Sequence, residues 1–299
     1  MRSLEVLFTP ADFNALIRRD LSSAICVVFD VLRATSTIVT ALWNGAVAIL
    51  PVEEIAEAIA IRSNEPGVLL GGERDGVRIP AALAGGTDFH LGNSPREFSP
   101  SVVKGKSIVI TTTNGTRALH SCRGARQVLA ASFLNLGTTK VAIQKSDSTE
   151  VLLICSGTFE QAAYEDVLGA GALCDMLWTG FSNAKIDDSA QIARELFLSS
   201  LDDPAGSVSR SRNARRLLSK PELSEDVAFC FQRDVMPLVA TMDKDGWIRR
   251  QLYSGGELST KSETRRPKAE RSPKSEARRF EILRQLTQES KAGEWRQKN

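Results

Sequence analysis

The sequence is short of the residues from which many sites are built. Its five cysteines stand singly at positions 26, 122, 155, 174 and 230, with no CxxC pair. That excludes a cysteine-based zinc site and a disulfide framework. Histidine occurs only at His90 and His120, single and separated, which gives neither a metal pair nor a triad. No apolar run approaches the roughly 20 residues that cross a bilayer. The N-terminus lacks the apolar region and small-residue cleavage site of a signal peptide, so a cytoplasmic protein is expected. Familiar phosphate motifs fail as well. Gly105-Lys-Ser107 has Pro100 where a P-loop needs its first glycine, and it runs into a strand. Asp30-Val-Leu-Arg33 opens like an aspartyl-phosphate phosphatase, yet Leu32 replaces the second Asp. No GxGxxG or GxSxG occurs.

What is present suits a soluble globular fold: 299 residues, 42% hydrophobic and 25% charged. The net charge of +2 hides an asymmetry. Residues 255–299 carry twelve Lys and Arg against seven Glu, so this tail is at +5 and the rest at −3. A mildly acidic body gives no reason to expect nucleic acid or membrane as partner, and only the tail leans that way. The expected division is a domain over 1–250, with room for two subdomains, and a basic, largely disordered tail over 251–299. Phe280–Leu286 would form a helical turn or two there. A homo-oligomer stays open.

The chain is organised around Ile25-Cys-Val-Val-Phe-Asp-Val-Leu-Arg-Ala-Thr-Ser36. A continuous, β-branched-rich run of this kind reads as a buried parallel strand. Asp30 closes it, at the carboxyl end where open α/β sheets place ligands. Thr35, Ser36 and Thr37 are expected to cap a helix from Ile38, with Arg33 beside them making its start attractive to an anion. Further strands are predicted at Leu4–Phe8, Ala46–Val52, Val68–Leu70, Ser107–Thr111, Val128–Ala130, Val151–Cys155, Val227–Phe231 and Pro237–Ala240. Helices are predicted over Glu53–Arg62, from Arg117, from Tyr164, and over Ser189–Leu218 with a break at Asp202–Gly206. This alternation predicts an α/β fold: three-layer α/β/α with a mainly parallel sheet.

Four strand ends carry polar clusters: Asp30 with Arg33, Glu73 with Arg74, Asn114 with Thr116, and Ser156 with Thr158, followed by Glu165-Asp166. Carboxylates near arginines and helix amides suit a hard cation such as Mg²⁺ bridged to a phosphate. Thr112-Thr-Asn-Gly-Thr116 has the ingredients of an anion cradle, with Gly115 allowing close backbone approach. Each signal has a plainer counterpart. Asp30 alone reads equally as a helix cap, Asn114-Gly115 as a turn, and Glu165-Asp166 as acidic residues answering a helix dipole. Gly169 and Gly171 suggest close helix packing, and His120 a structural role.

Asp30-Val-Leu-Arg-Ala-Thr-Ser-Thr37, Gly71-Gly-Glu-Arg74, Leu91-Gly-Asn-Ser-Pro95, Thr111-Thr-Thr-Asn-Gly-Thr-Arg117 and Glu165-Asp-Val-Leu-Gly-Ala-Gly171 occur in one order. Together they resemble the 2-phosphosulfolactate phosphatase family over roughly residues 1–246. The resemblance implies an α/β/α, Mg²⁺-dependent phosphatase of the coenzyme M pathway that releases sulfolactate and phosphate. It implies that Asp30, Glu73 and Glu165 or Asp166 hold or border the metal. Arg33, Arg74, Asn114 and Thr116 would grip the phosphate and sulfonate, with Thr35, Ser36, Asn93, Ser94, Gly115, Ser156 and Thr158 completing the substrate site. The segment Ile79–His90 departs from the family by its length and by His90 where an acidic residue is expected. Two other readings compete: a phosphatase of the same fold for another 2-phospho acid, and a non-catalytic anion-binding protein that uses its tail for a partner.

Overall fold

Apolar runs that stop at Asp, Gly, Glu or Ser make strands, and they alternate with helices along the chain. The computed structural model describes residues 2–181 and 184–251. In chain order these hold β1 (Ser3–Leu7), α1 (Pro10–Asn14), β2 (Ala24–Phe29), α2 (Ala34–Trp43), β3 (Ala48–Val52), α3 (Ile55–Asn64), β4 (Leu69–Arg74) and β5 (Val77–Arg78). Next come α4 (Pro100–Val103), β6 (Ser107–Thr111), α5 (Gly115–Ser121), β7 (Gln127–Ala131), α6 (Leu136–Lys145), β8 (Glu150–Cys155) and α7 (Tyr164–Leu177). The last elements are β9 (Lys185–Ile186), α8 (Asp188–Leu198), α9 (Pro204–Val208), α10 (Arg212–Leu218), α11 (Ser224–Cys230), β10 (Val239–Met242) and β11 (Ile248–Gln251).

The sheet has the order β5-β4-β6-β3-β11-β10-β7-β2-β8-β1-β9. Two parallel sets, β4-β6-β3 and β7-β2-β8-β1-β9, are joined by the antiparallel hairpin β10-β11. β2 shows why helices cover both faces. Ile25, Val27 and Phe29 enter one core cluster, Cys26 and Val28 the opposite one, and the whole strand is buried. The fold is therefore α/β around a large, mostly parallel sheet. No described helix is long and apolar enough to cross a membrane.

The sheet is not flat. Five inter-strand steps, about 24 Å at the usual spacing, separate β6 from β2. Yet a Cβ on Gly115, just past β6, would come within 2.7 Å of Asp30 Oδ2, just past β2. Curling brings the carboxyl ends of the two parallel sets together. Helix α7 closes onto the sheet equally tightly. A Cβ on Gly169 would lie 2.8 Å from the Phe29 ring, and one on Gly171 would lie 2.0 Å from Ala193 O in α8. Both glycines serve close packing, as expected.

Several elements differ from expectation. Val227–Phe231 is not a strand but lies largely in α11, where Asp226, Val227 and Cys230 are buried at helical spacing. Glu225 and Asp226 give that helix an acidic first turn. The strand expected at Pro237–Ala240 is β10, and it pairs with β11, which was not expected; the short edge strands β5 and β9 carry too few residues to show a period. The helical stretch after Ser189 is three helices. α8, α9 and α10 begin at the side-chain caps Asp187, Asp203 and Ser211. Thr35, Ser36 and Thr37 do not cap α2 but lie inside it, since the helix begins at Ala34 with Arg33 at its cap position. The tail over 252–299, with Phe280–Leu286, lies outside the described residues.

Candidate active site

One cleft gathers all four strand ends. Its wall takes Asp30 after β2, Glu73 at the end of β4 with Asp75 and Gly76 beyond, Thr112 to Asn114 after β6, and Gly157 to Phe159 after β8. Arg33, Asn93 and Asp166 join them, and α10 adds Asn213, Arg216 and Leu217.

The carboxylates are tied to the loops they serve. Asp30 Oδ1 accepts from Ala34 N at 3.0 Å. Glu73 Oε1 accepts from the Thr113 amide and hydroxyl at 2.9 and 3.0 Å, and its Oε2 from Gly76 N at 2.7 Å. Asp166 accepts from Val31 N and Gly157 N at 2.8 and 3.2 Å, so one side chain joins the loops after β2 and β8. Glu165 does not line the cleft but stands behind Asn213, accepting from Asn213 Nδ2 and Ser211 Oγ.

Burial raises the proton affinity of Asp30, Asp166 and Glu165. Asp30 retains some exposed surface but sits deep in the cleft, and loss of water pushes its carboxyl up to about 6, helped by Glu73 and Glu165. Burial, then Asp30 and Glu165, holds Asp166 well above the ordinary carboxylate range. Burial likewise raises Glu165.

The other expected site residues divide. Arg33 reaches the cleft, but its guanidinium is committed, donating to Asp226 Oδ2 and to Gly76 O at 2.7 Å each. Arg74 is turned away, donating to Glu73 O, Thr111 Oγ1 and Glu53 O. Thr35 Oγ1 accepts from Asp30 N at 3.0 Å, and Ser36 Oγ donates to Val31 O at 2.9 Å, so both brace the Asp30 turn from within α2. Ser94 Oγ donates to Asp226 Oδ1, and Thr116 Oγ1 to Thr112 O. Asn93, Asn114 and Thr158 line the cleft, and Gly115 backs Asp30. Ser156 Oγ is buried beside it without a partner.

Residues in α10 and α11 went unread in the sequence. Asn213 Nδ2 binds Thr158 Oγ1 and Glu165 Oε1. Asp226 is fully buried and holds Arg33, Ser94 and Arg96. The available signal was the arginine cluster at 210, 212, 215 and 216 around Asn213.

Among the described residues, no three His, Cys, Asp or Glu side chains form a ready metal cage. The donor set still fits a hard cation that keeps its waters, because Mg²⁺ needs only one or two carboxylates plus water and phosphate oxygens. Asn93 Oδ1, Asn213 Oδ1 and Thr112 Oγ1 are buried in the cleft without partners. Such oxygens next to crowded carboxylates offer the neutral and anionic ligands a hydrated cation uses.

Comparison with known proteins identifies the family. The model of the 2-phosphosulpholactate phosphatase family matches residues 12–245. A protein of Pseudothermotoga lettingae named "Probable 2-phosphosulfolactate phosphatase" is 39% identical, over 83% of this chain and 99% of its own. One of Caldanaerobacter subterraneus subsp. tengcongensis with the same name is 35% identical over 81% of this chain and 97% of its own. Another, of Thermotoga petrophila, is 38% identical over 76% and 92%.

Proposed function

Because the chain belongs to the 2-phosphosulfolactate phosphatase family, we propose that it is a phosphoric monoester hydrolase that converts 2-phosphosulfolactate to sulfolactate and phosphate with Mg²⁺, in a coenzyme M-type pathway. The observation that carries the Mg²⁺ requirement is the sign of the cleft. Even without Asp166, whose proton affinity is raised, Asp30, Glu73 and Asp75 line it against Arg33 and Arg216, and Arg33 is already neutralised by Asp226. A substrate bearing a phosphate, a carboxylate and a sulfonate would be repelled from such a wall unless a cation sat between them.

Asp30 and Glu73 would hold that cation, with Asn93 Oδ1 as a neutral neighbour. When bound, it polarises the phosphoryl group and stabilises the departing alkoxide. The chain's own residues do the rest. Asn114, whose side chain makes no helix-cap bond, is available to donate to a phosphoryl oxygen. Thr112 Oγ1 and Asn213 Oδ1 are free to orient a water. Asp166, through Val31 N and Gly157 N, keeps the loops after β2 and β8 at a fixed separation around the reacting ester.

The test is phosphate release from a panel of 2-phospho acids, with Mg²⁺ and with EDTA. Mg²⁺-dependent release with preference for 2-phosphosulfolactate is expected. Preference for 2-phospholactate or phosphoglycerate would move the substrate and keep the chemistry. Release unaffected by EDTA, or no release from a folded sample, would overturn the proposal.

A further inference from the structure

The arginines that the resemblance picks out for anion binding are Arg33 and Arg74, and Arg74 is turned to Glu73 O, Glu53 O and Thr111 Oγ1. Arg33 has spent its charge on Asp226 and its second nitrogen on Gly76 O. Arg216, one helix away on α10, lines the same cleft and makes no hydrogen bond from its guanidinium and no ion pair among the described residues. Its Nε is buried without a partner. A buried, unpaired guanidinium N–H costs stability unless something in the functioning protein completes it.

The guanidinium lies against the turn after β4. Its Nε, Cζ and Nη2 lie 3.4, 3.5 and 3.6 Å from where a Cβ on Gly76 would stand. Gly76 is itself held from both sides, its N–H by Glu73 Oε2 and its carbonyl by Arg33 Nη2. The turn after β4 thus forms a rigid shelf under Arg216. Nε together with one terminal nitrogen makes the side-on fork that binds two oxygens of an oxyanion.

We infer that Arg216 is a specificity-determining residue that receives the substrate's sulfonate, an inference that rests on the function proposed above. Arg216 pairs with none of the cleft's carboxylates among the described residues, so its fork is left for the substrate. Where a cation at Asp30 and Glu73 takes the phosphoryl group, the group left for Arg216 is another anionic group of the substrate. A sulfonate carries one permanent charge spread over three oxygens and is a weak ligand for a hard cation. A delocalised, permanently charged guanidinium matches it better than Mg²⁺ does.

The experiment compares 2-phosphosulfolactate with 2-phospholactate, which differ only by the sulfonate, in the full chain and in Arg216→Ala and Arg216→Lys. The ratio of kcat/KM values is expected to fall by about 10-fold or more in Arg216→Ala. Arg216→Lys should recover part of it, because charge remains and the fork is lost. An unchanged ratio overturns the assignment, whether both substrates suffer equally or neither does. Calorimetric binding of sulfolactate against lactate needs no turnover and separates this idea from the proposed reaction. Sulfolactate should bind the unmodified protein at least ~10-fold more tightly than Arg216→Ala, with circular dichroism confirming that the variant is folded. If neither ester is hydrolysed but that difference appears, the reaction falls and Arg216 stands. If sulfolactate binds both proteins alike, or neither, Arg216 falls.

Discussion

Arg33 Nη1 donates to Asp226 Oδ2 at 2.7 Å, with 3% of one side chain and none of the other exposed. The pair joins the turn after β2 to α11, 193 residues later, and Ser94 and Arg96 complete the carboxylate's second oxygen. Removing one partner of a buried pair strands the other's charge, at about 3–5 kcal/mol. Asp226→Ala should therefore lower unfolding free energy by that order in urea denaturation. Arg33→Met with Asp226→Leu should cost less than Asp226→Ala alone. A double variant less stable than the single one would contradict the reading that the stranded charge of Arg33 carries the cost.

Asp30→Asn keeps the shape of the turn, since an amide oxygen can still accept from Ala34 N. It removes the charge proposed to hold the cation and so should lower kcat on the order of 10³-fold or more. It also relieves crowding with Glu73, Glu165 and Asp166. Without Mg²⁺ the variant should melt at or above the temperature of the unmodified protein. Near-normal turnover would remove Asp30 from the site.

The parts of this molecule that announce themselves in sequence are those set by local rules. β2 is legible because its six-residue apolar run is rich in β-branched residues and closes on Asp30, which favours a buried strand over a helix. Asp30, Glu73, Asn114 and Thr158 were legible because strand ends in a parallel sheet share one edge. What stayed hidden depends on distant partners. Asp226 sits in a run whose short apolar stretch fits strand and helix equally, and only its burial in α11 decides. Arg33 and Arg216 are alike as letters. Their difference in role arises because Asp226 reaches one and not the other.

His90 Nδ1 accepts from Leu70 N at 3.0 Å. Burial, then Arg62, lowers the imidazole's pKa from its ordinary 6.5. A proton on Nδ1 would remove the acceptor. Because the folded pKa lies below the unfolded one, the stability from this contact is present above pH 6.5 and declines as pH falls below it. An NMR titration of the His90 ring should give a midpoint below 6.5, and His90→Gln should flatten this part of the stability profile. A midpoint above 6.5 would mean that the ring does not accept from Leu70.

Gly115 offers the sharpest separation of folding from function. A Cβ there would meet Ala34 Cβ and Asp30 Oδ2 at 2.7 Å each, and Asp30 Cβ at 3.3 Å. Position 115 opens α5, and its φ is not among the left-handed ones, so alanine meets no backbone penalty. The strain falls on the Asp30 side chain and the first turn of α2. The softest response is rotation of the Asp30 carboxylate, because Ala34 belongs to a fully buried helical turn. A displacement of about 1 Å at a reacting centre costs on the order of 10²-fold in rate. Gly115→Ala should therefore lose kcat by about that factor while Tm falls only a few degrees, roughly the 1–3 kcal/mol of an overpacked site. If kcat is kept while Tm falls sharply, the packing of Gly115 against the Asp30 turn serves the fold and not the chemistry.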